Sequence, residues 1–233
     1  EADYRLPRTV VPSHYELSLT PDLAEASFAG HVVVDVAIVE PVSEITLNTA
    51  DLTLHDVFLS NDNGERLSAT VATDEEAERS TLSLDGTAAV GRWKLEIAFD
   101  GILNDDLRGF YRSVYTDADG VEKTIATTQF EATEARRAFP CWDEPDLKAT
   151  YGVTLIVDRG LTAISNGAEK RGFSPPGSIR RFSVRARSVV IRARRGRRTR
   201  RSTRRSSGRC SGRRRVRSRR RFAESPPASG VSG

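Results

Sequence analysis

Residues 127–148 read TTQFEATEARRAFPCWDEPDLK. Two adjacent arginines, Arg136 and Arg137, stand among the carboxylates Glu131, Glu134, Asp143 and Glu144, and Pro140 and Pro145 bracket the pair Cys141-Trp142. Proline fixes φ and removes a backbone donor, so the bracketed stretch is a rigid, non-repeating loop and not the interior of a strand. Such a loop, dense in charge and aromatic surface, is where a scaffold presents function. The same residue types also suit a buried salt-bridge corner that closes a fold. Residue types alone favour that corner, because ion-pair networks are commoner than sites.

On either side of the loop the apolar residues recur every second position, which predicts strands. Upstream, Tyr111–Thr116 and Val121–Thr127 flank Asp117-Ala118-Asp119-Gly120. This spacing predicts a hairpin closed where Gly120 takes a positive φ. Its second strand runs directly into Gln129, a stiff mount for an outward-reaching side chain. Downstream, Tyr151, Val153, Leu155 and Val157 alternate, and Leu161–Ser165 returns towards Asn166-Gly167. One helical turn is expected near Ala132–Ala138, where Ala, Glu and Arg cluster.

Nearer the start, Tyr15, Leu17 and Leu19 alternate and stop at Pro21-Asp22. Val32, Val34, Val36 and Ile38 share one face; Val33, Ala37 and Val39 partly fill the other. Short strands are expected at Ile45/Leu47, Leu52/Leu54, Val57/Leu59 and Leu82/Leu84, with turns at Asn61-Asp62-Asn63-Gly64 and Asp85-Gly86. Trp93, Leu95, Ile97 and Phe99 alternate with Lys94, Glu96 and Ala98. Many short strands with turn signals and no long helical period predict an all-β fold, sandwich-like and mostly antiparallel.

The chain has 233 residues and a formal net charge of +4. That average joins two unlike parts. Residues 1–170 hold 14 Lys and Arg against 31 Asp and Glu, a net of −17. Residues 171–233 hold 22 Arg against one acid, Glu224, a net of +21. The expected organisation is a β domain over 1–170 and an arginine-rich, low-complexity segment over 171–233, too poor in apolar residues to build a core and so disordered. There is no apolar run of membrane-spanning length. The opening EADYRLPR has no apolar signal region. A cytoplasmic location and no membrane partner are the resulting expectations. Two cysteines, Cys141 and Cys210, make no disulfide framework.

The loop resembles the signature near the end of the N-terminal domain of M1-family zinc aminopeptidases, of the aminopeptidase N and puromycin-sensitive type. That pattern, TQ-x-E-x-x-x-A-R-R-x-x-P-C-x-D-E-P, is met here by TQFEATEARRAFPCWDEP. YRLPRTVVPSHYELSLTPDL, LNDDLRGFYRSVY and KATYGVTLIVDRGLTAISNG are similar to neighbouring segments of the same domain, so the likeness covers about residues 3–169. The resemblance implies a curved, mostly antiparallel β domain. It implies a parent activity of removing N-terminal amino acids from peptides, with zinc held in a following catalytic domain by a His-Glu-x-x-His helix and a distant Glu, beside a Gly-x-Met-x-Asn motif. It assigns Gln129 and Glu131 to the substrate's free α-amine. A desolvated carboxylate suits an ammonium through charge-assisted hydrogen bonds, and fixing the ammonium sets which peptide bond is cut. Glu134, Arg136, Arg137, Asp143 and Glu144 are expected to brace the loop, and Cys141 and Trp142 to pack.

The zinc motifs are missing. The chain has no Met, and its three histidines, His14, His31 and His55, lie upstream of the signature; His31 opens HVVVD, without the Glu or second His. No catalytic or metal-ligating residue, and no zinc bound by this chain alone, is expected. The sequence therefore reads as a truncated aminopeptidase, inactive alone, whose partners are peptides with a free N-terminus. The other class is a stand-alone β-sandwich binding module whose basic segment recruits nucleic acid by counterion release. Against that stands the absence of aromatic interleaving for base stacking. A third account of the arginine segment is a one- or two-base slip of reading frame near codon 170 in GC-rich coding DNA, which replaces strand alternation by arginine-rich sequence.

Overall fold

A computed structural model of the protein describes residues 5–158, 160–165, 169–171, 179–184 and 189–193. These residues form fourteen strands and one short 3-10 turn. In chain order the first nine strands are β1 (Val10–Asp22), β2 (Ser27–Ile38), β3 (Val42–Asn48), β4 (Leu52–Ser60), β5 (Arg66–Asp74), β6 (Arg79–Ala88), β7 (Gly91–Ile102), β8 (Gly109–Thr116) and β9 (Glu122–Gln129). The 3-10 turn, Ala135–Arg137, follows where a helical turn is expected. Then come β10 (Thr150–Asp158), β11 (Leu161–Ser165), β12 (Glu169–Arg171), β13 (Ile179–Val184) and β14 (Val189–Ala193).

Two sheets result. The larger has ten strands in the order β12-β13-β10-β1-β2-β7-β4-β5-β6-β3; the smaller has four, β11-β14-β9-β8. Among the described residues every ladder is antiparallel except β1 with β10. The all-β, mostly antiparallel fold read from the sequence is the fold observed.

Register follows the alternation. One inward row crosses five strands: half-buried Tyr151 on β10, then buried Tyr15 on β1, Val34 on β2, Leu95 on β7 and Leu59 on β4. The next row carries Val153, Leu17, Val32 and Ile97. A one-residue slip would turn every one of these to solvent, so burial pins the register. Each fully buried Leu, Ile or Phe contributes about 1.5–3 kcal/mol of apolar transfer. In the following row Phe99 takes space that a side chain at Gly30 would occupy: a Cβ there would stand 2.2 Å from the ring. The reverse face of β2 is half-covered at Val33, Asp35 and Ala37, and Val39, just past its end, is exposed.

Three details differ from the sequence expectation. Leu52/Leu54 and Val57/Leu59 are not two strands but one, β4, whose register shifts between His55 and Phe58. Asp56 within that shift has φ 34°, the left-handed region, and the bulge reconciles two alternation phases in one strand. Strand β5 was not expected, because its side chains are mostly exposed and give little apolar signal. Finally, β13 and β14 lie past the boundary expected at 170 and pair with β10 and β9. An unpaired β10 or β9 edge would leave backbone donors and acceptors without ladder partners, and Ile179, Phe182, Val184, Val189, Val190 and Ile191 are strand-favouring types. The rest of the arginine segment, 172–178, 185–188 and 194–233, lies outside the described residues.

Candidate functional site

The loop that follows β9 is fastened on three sides. On the first, Asn48 at the end of β3 bridges to Cys141 through paired backbone hydrogen bonds of 2.8 and 3.1 Å, and its Oδ1 accepts from Asp143 N at 3.1 Å. Ala50 N donates to Arg136 O at 3.0 Å. On the second, Trp142 N donates to the buried Tyr15 hydroxyl at 3.3 Å. On the third, Glu144 accepts from Leu6 N and Arg8, and Asp146 accepts from Arg8 at 2.9 Å and Arg5 at 3.2 Å.

The two arginines form the brace. Arg136 reaches Asp143 at 3.1 Å and Glu78 at 3.2 Å. Arg137 holds Glu134 at 2.7 Å and also pairs with Asp51 and Glu78. The Arg136 and Arg137 side chains are only 12% and 17% exposed, so the charges are largely removed from water and depend on these partners. Burial alone pulls the Arg137 pKa down, but the bonds to Glu134 and Asp51 and the nearby Glu78 charge carry it above its usual value. Gly109, which opens β8, has φ +65° and lies so close that a Cβ there would stand 2.5 Å from Arg137 Cβ. The bracing role expected of Glu134, Arg136, Arg137, Asp143 and Glu144 is what their contacts show.

Cys141 and Trp142 are buried at 2% and 4% exposure. Burial pushes the Cys141 thiol well above its ordinary pKa, with the Asp143 charge adding to it. A thiol held protonated is a poor nucleophile. Beside it Phe139 packs edge-on against Tyr15, Phe130 and Tyr151, with centroids 5.9–6.1 Å apart.

Gln129 and Glu131, where β9 runs into the loop, are exposed. Gln129 ends β9 paired to Gly109 of β8, and its Oε1 accepts from Glu131 N at 3.3 Å. The Glu131–Ala132 peptide is cis. The Glu131 carboxylate has no ion-pair partner among the described residues, in contrast to Glu134, Asp143, Glu144 and Asp146. Both Gln129 and Glu131 line a cavity of about 450 Å³. Its apolar wall comes from the β1 and β10 faces (Leu17, Leu19, Tyr151, Val153) and from Phe130, Phe139 and Leu147 of the loop; Lys148 lines it too. Lys148 was not singled out in the sequence, where nothing separates it from any surface lysine.

The histidines lie elsewhere, on β1, β2 and β4. His14 Nε2 bonds Glu16 at 2.9 Å and His55 Nε2 bonds Asp100 at 2.8 Å. No group of three His, Cys, Asp or Glu among the described residues could hold a metal, so these residues do not fit a zinc centre. No described helix is long and apolar enough to cross a membrane.

Residues 11–184 match the family model of the peptidase M1 N-terminal domain. The chain belongs to the M1 peptidase family. Among curated M1 relatives, Aminopeptidase M1 of Arabidopsis thaliana is 43% identical over 166 residues, covering 70% of this chain and 19% of the relative. The puromycin-sensitive aminopeptidase of Caenorhabditis elegans is 43% identical over 163 residues, covering 70% and 17%. Aminopeptidase 2, mitochondrial, of Saccharomyces cerevisiae is 43% identical over 166 residues, covering 69% and 17%. The chain thus spans less than a fifth of the length of these M1 relatives.

Proposed function

We propose that this M1 domain forms the amine-recognition wall of an aminopeptidase, and that Gln129 and Glu131 receive the free α-ammonium of a peptide substrate. The supporting observation is the division of charge in the loop. Glu134, Asp143, Glu144 and Asp146 are spent on arginines of the fold, whereas Glu131 faces the cavity without an ion-pair partner among the described residues. A carboxylate held on a braced loop and backed by an amide is preorganised for a cationic group. The apolar wall beside it lowers the local dielectric and strengthens that pairing.

On this reading the chain is a fragment of a longer enzyme. Zinc-dependent hydrolysis belongs to parts that the relatives carry and this chain's described residues do not supply. The direct test is binding of leucyl-leucine amide to the chain. The amide should bind, and N-acetylation of the peptide or Glu131→Gln should each abolish most of the affinity. Equal affinity for the free and acetylated amides would remove the ammonium from the account.

The arginine segment has its own proposal. A reading frame that changes late in the domain is one account of it; the family match runs to residue 184, which puts such a change nearer to 184 than to 170. A selected basic segment that binds nucleic acid is the rival account.

A further inference from the structure

Eight charged side chains stand between Thr127 and Lys148. Six of them, Glu134, Arg136, Arg137, Asp143, Glu144 and Asp146, are in ion pairs with the fold or with each other. The two with no ion-pair partner among the described residues are Glu131 and Lys148, of opposite sign, and both line the same cavity. An unpaired anion and an unpaired cation around one apolar hollow are complementary to a ligand with a positive end, an apolar body and a negative end.

We propose that this cavity seats a short apolar peptide with both termini free, a dipeptide-sized zwitterion whose α-ammonium pairs with Glu131 and whose α-carboxylate pairs with Lys148. The inference rests on the amine-recognition reading of Glu131 and adds to it the far end and the middle of the ligand. The cavity volume of about 450 Å³ lies in the lower part of the range typical of small-molecule sites. Leu17, Leu19, Phe139, Tyr151 and Val153 give the ligand's side chains an apolar bed, which favours leucine-like residues over glycine. Glu144 also lines the cavity, but it is engaged by Leu6 N and Arg8, so it does not stand as a free negative charge against the ligand's carboxylate. A longer peptide would bring a neutral amide to Lys148 and lose that contact. The ammonium of Lys148 rides on a flexible stem, which can meet a carboxylate without demanding one fixed geometry.

The test is a calorimetric or NMR titration of the full 233-residue chain with leucyl-leucine, leucyl-leucine amide, N-acetyl-leucyl-leucine and glycyl-glycine. Leucyl-leucine should bind most tightly. The amide should be weaker by about three- to tenfold, the scale of one partly exposed ion pair. Lys148→Ala should bring leucyl-leucine down to the amide's affinity and leave the amide unchanged. Lys148→Arg should restore the difference. Leucyl-leucine that binds no tighter than its amide, or a Lys148→Ala variant that weakens both alike, overturns the carboxylate anchor and leaves the Glu131 reading standing. N-acetyl-leucyl-leucine as tight as leucyl-leucine overturns both. Glycyl-glycine as tight as leucyl-leucine, or no saturable binding of leucyl-leucine, also overturns the proposal.

Discussion

Asn48 and Cys141 exchange both of their backbone hydrogen bonds, at 2.8 and 3.1 Å, and so join the last residue of β3 to the centre of the signature loop. Asn48 adds a third bond from its side chain to Asp143 N. This bridge is the loop's tie to a strand 93 positions earlier in the numbering, and it makes the loop part of the sheet's rigid frame. Replacing Asn48 by Ala leaves a part-buried amide N–H without its acceptor. The expected loss is about 1–3 kcal/mol of folding stability. Urea unfolding should show a lower midpoint with an unchanged m-value; a midpoint equal to that of the wild type would mean that water replaces the side chain without cost.

Gly109 is the loop's clearance. Its φ of +65° and the 2.5 Å approach to Arg137 Cβ leave no room for a methyl group. Gly109→Ala should cost about 1–3 kcal/mol from the left-handed backbone and the crowding together. The β8–β9 hairpin amides nearest Gln129 should lose hydrogen-exchange protection first.

Glu131 should affect function and leave the fold intact. In a full-length M1 relative, alanine at the position matching Glu131 should lower kcat/KM by roughly tenfold to several hundredfold, with the melting temperature unchanged. Wild-type kinetics in that variant would place Glu131 with the bracing residues.

Alkaline pH should weaken the domain through Cys141. Its folded pKa is raised by burial, so the folded state keeps a proton that the unfolded chain loses above about pH 8.5. Stability is therefore full below that pH and falls as pH rises, with a slope approaching about 1.4 kcal/mol per pH unit. Tyr15, raised by burial in the same direction, adds to the fall above about pH 10. Comparing urea midpoints between pH 8 and 10, Cys141→Ala should remove the first part of the slope; the same slope in that variant would exclude the thiol as its source.

For the arginine segment the measurement is the coding DNA. Read in its other two forward frames beyond residue 184, where the family match ends, it should resume strand alternation within a few codons and later encode Gly-x-Met-x-Asn and His-Glu-x-x-His. If neither frame does so, the segment is a selected feature, and salt-sensitive nucleic-acid binding becomes the property to measure.

What the sequence by itself determined was local. Period-two alternation located β1, β2, β7 and β10, because each buries most of one face and that burial is written residue by residue. The Asp117–Gly120 turn located the β8–β9 hairpin. Strand β5 and the single, bulged β4 were not legible: β5 is mostly exposed, and a bulge interrupts the periodicity on which the reading depends. Only the tertiary structure decided the division of labour inside the loop. Arg136 and Arg137 meet Glu78 across 58 and 59 positions, Arg137 meets Asp51 across 86, and Arg8 meets Glu144 across 136. A charge's partner so far away leaves no mark in its own neighbourhood. Which carboxylates brace the fold is therefore decided by which strands the sheets bring together, and to Glu131 and Lys148 they bring none of the described charges within ion-pair distance.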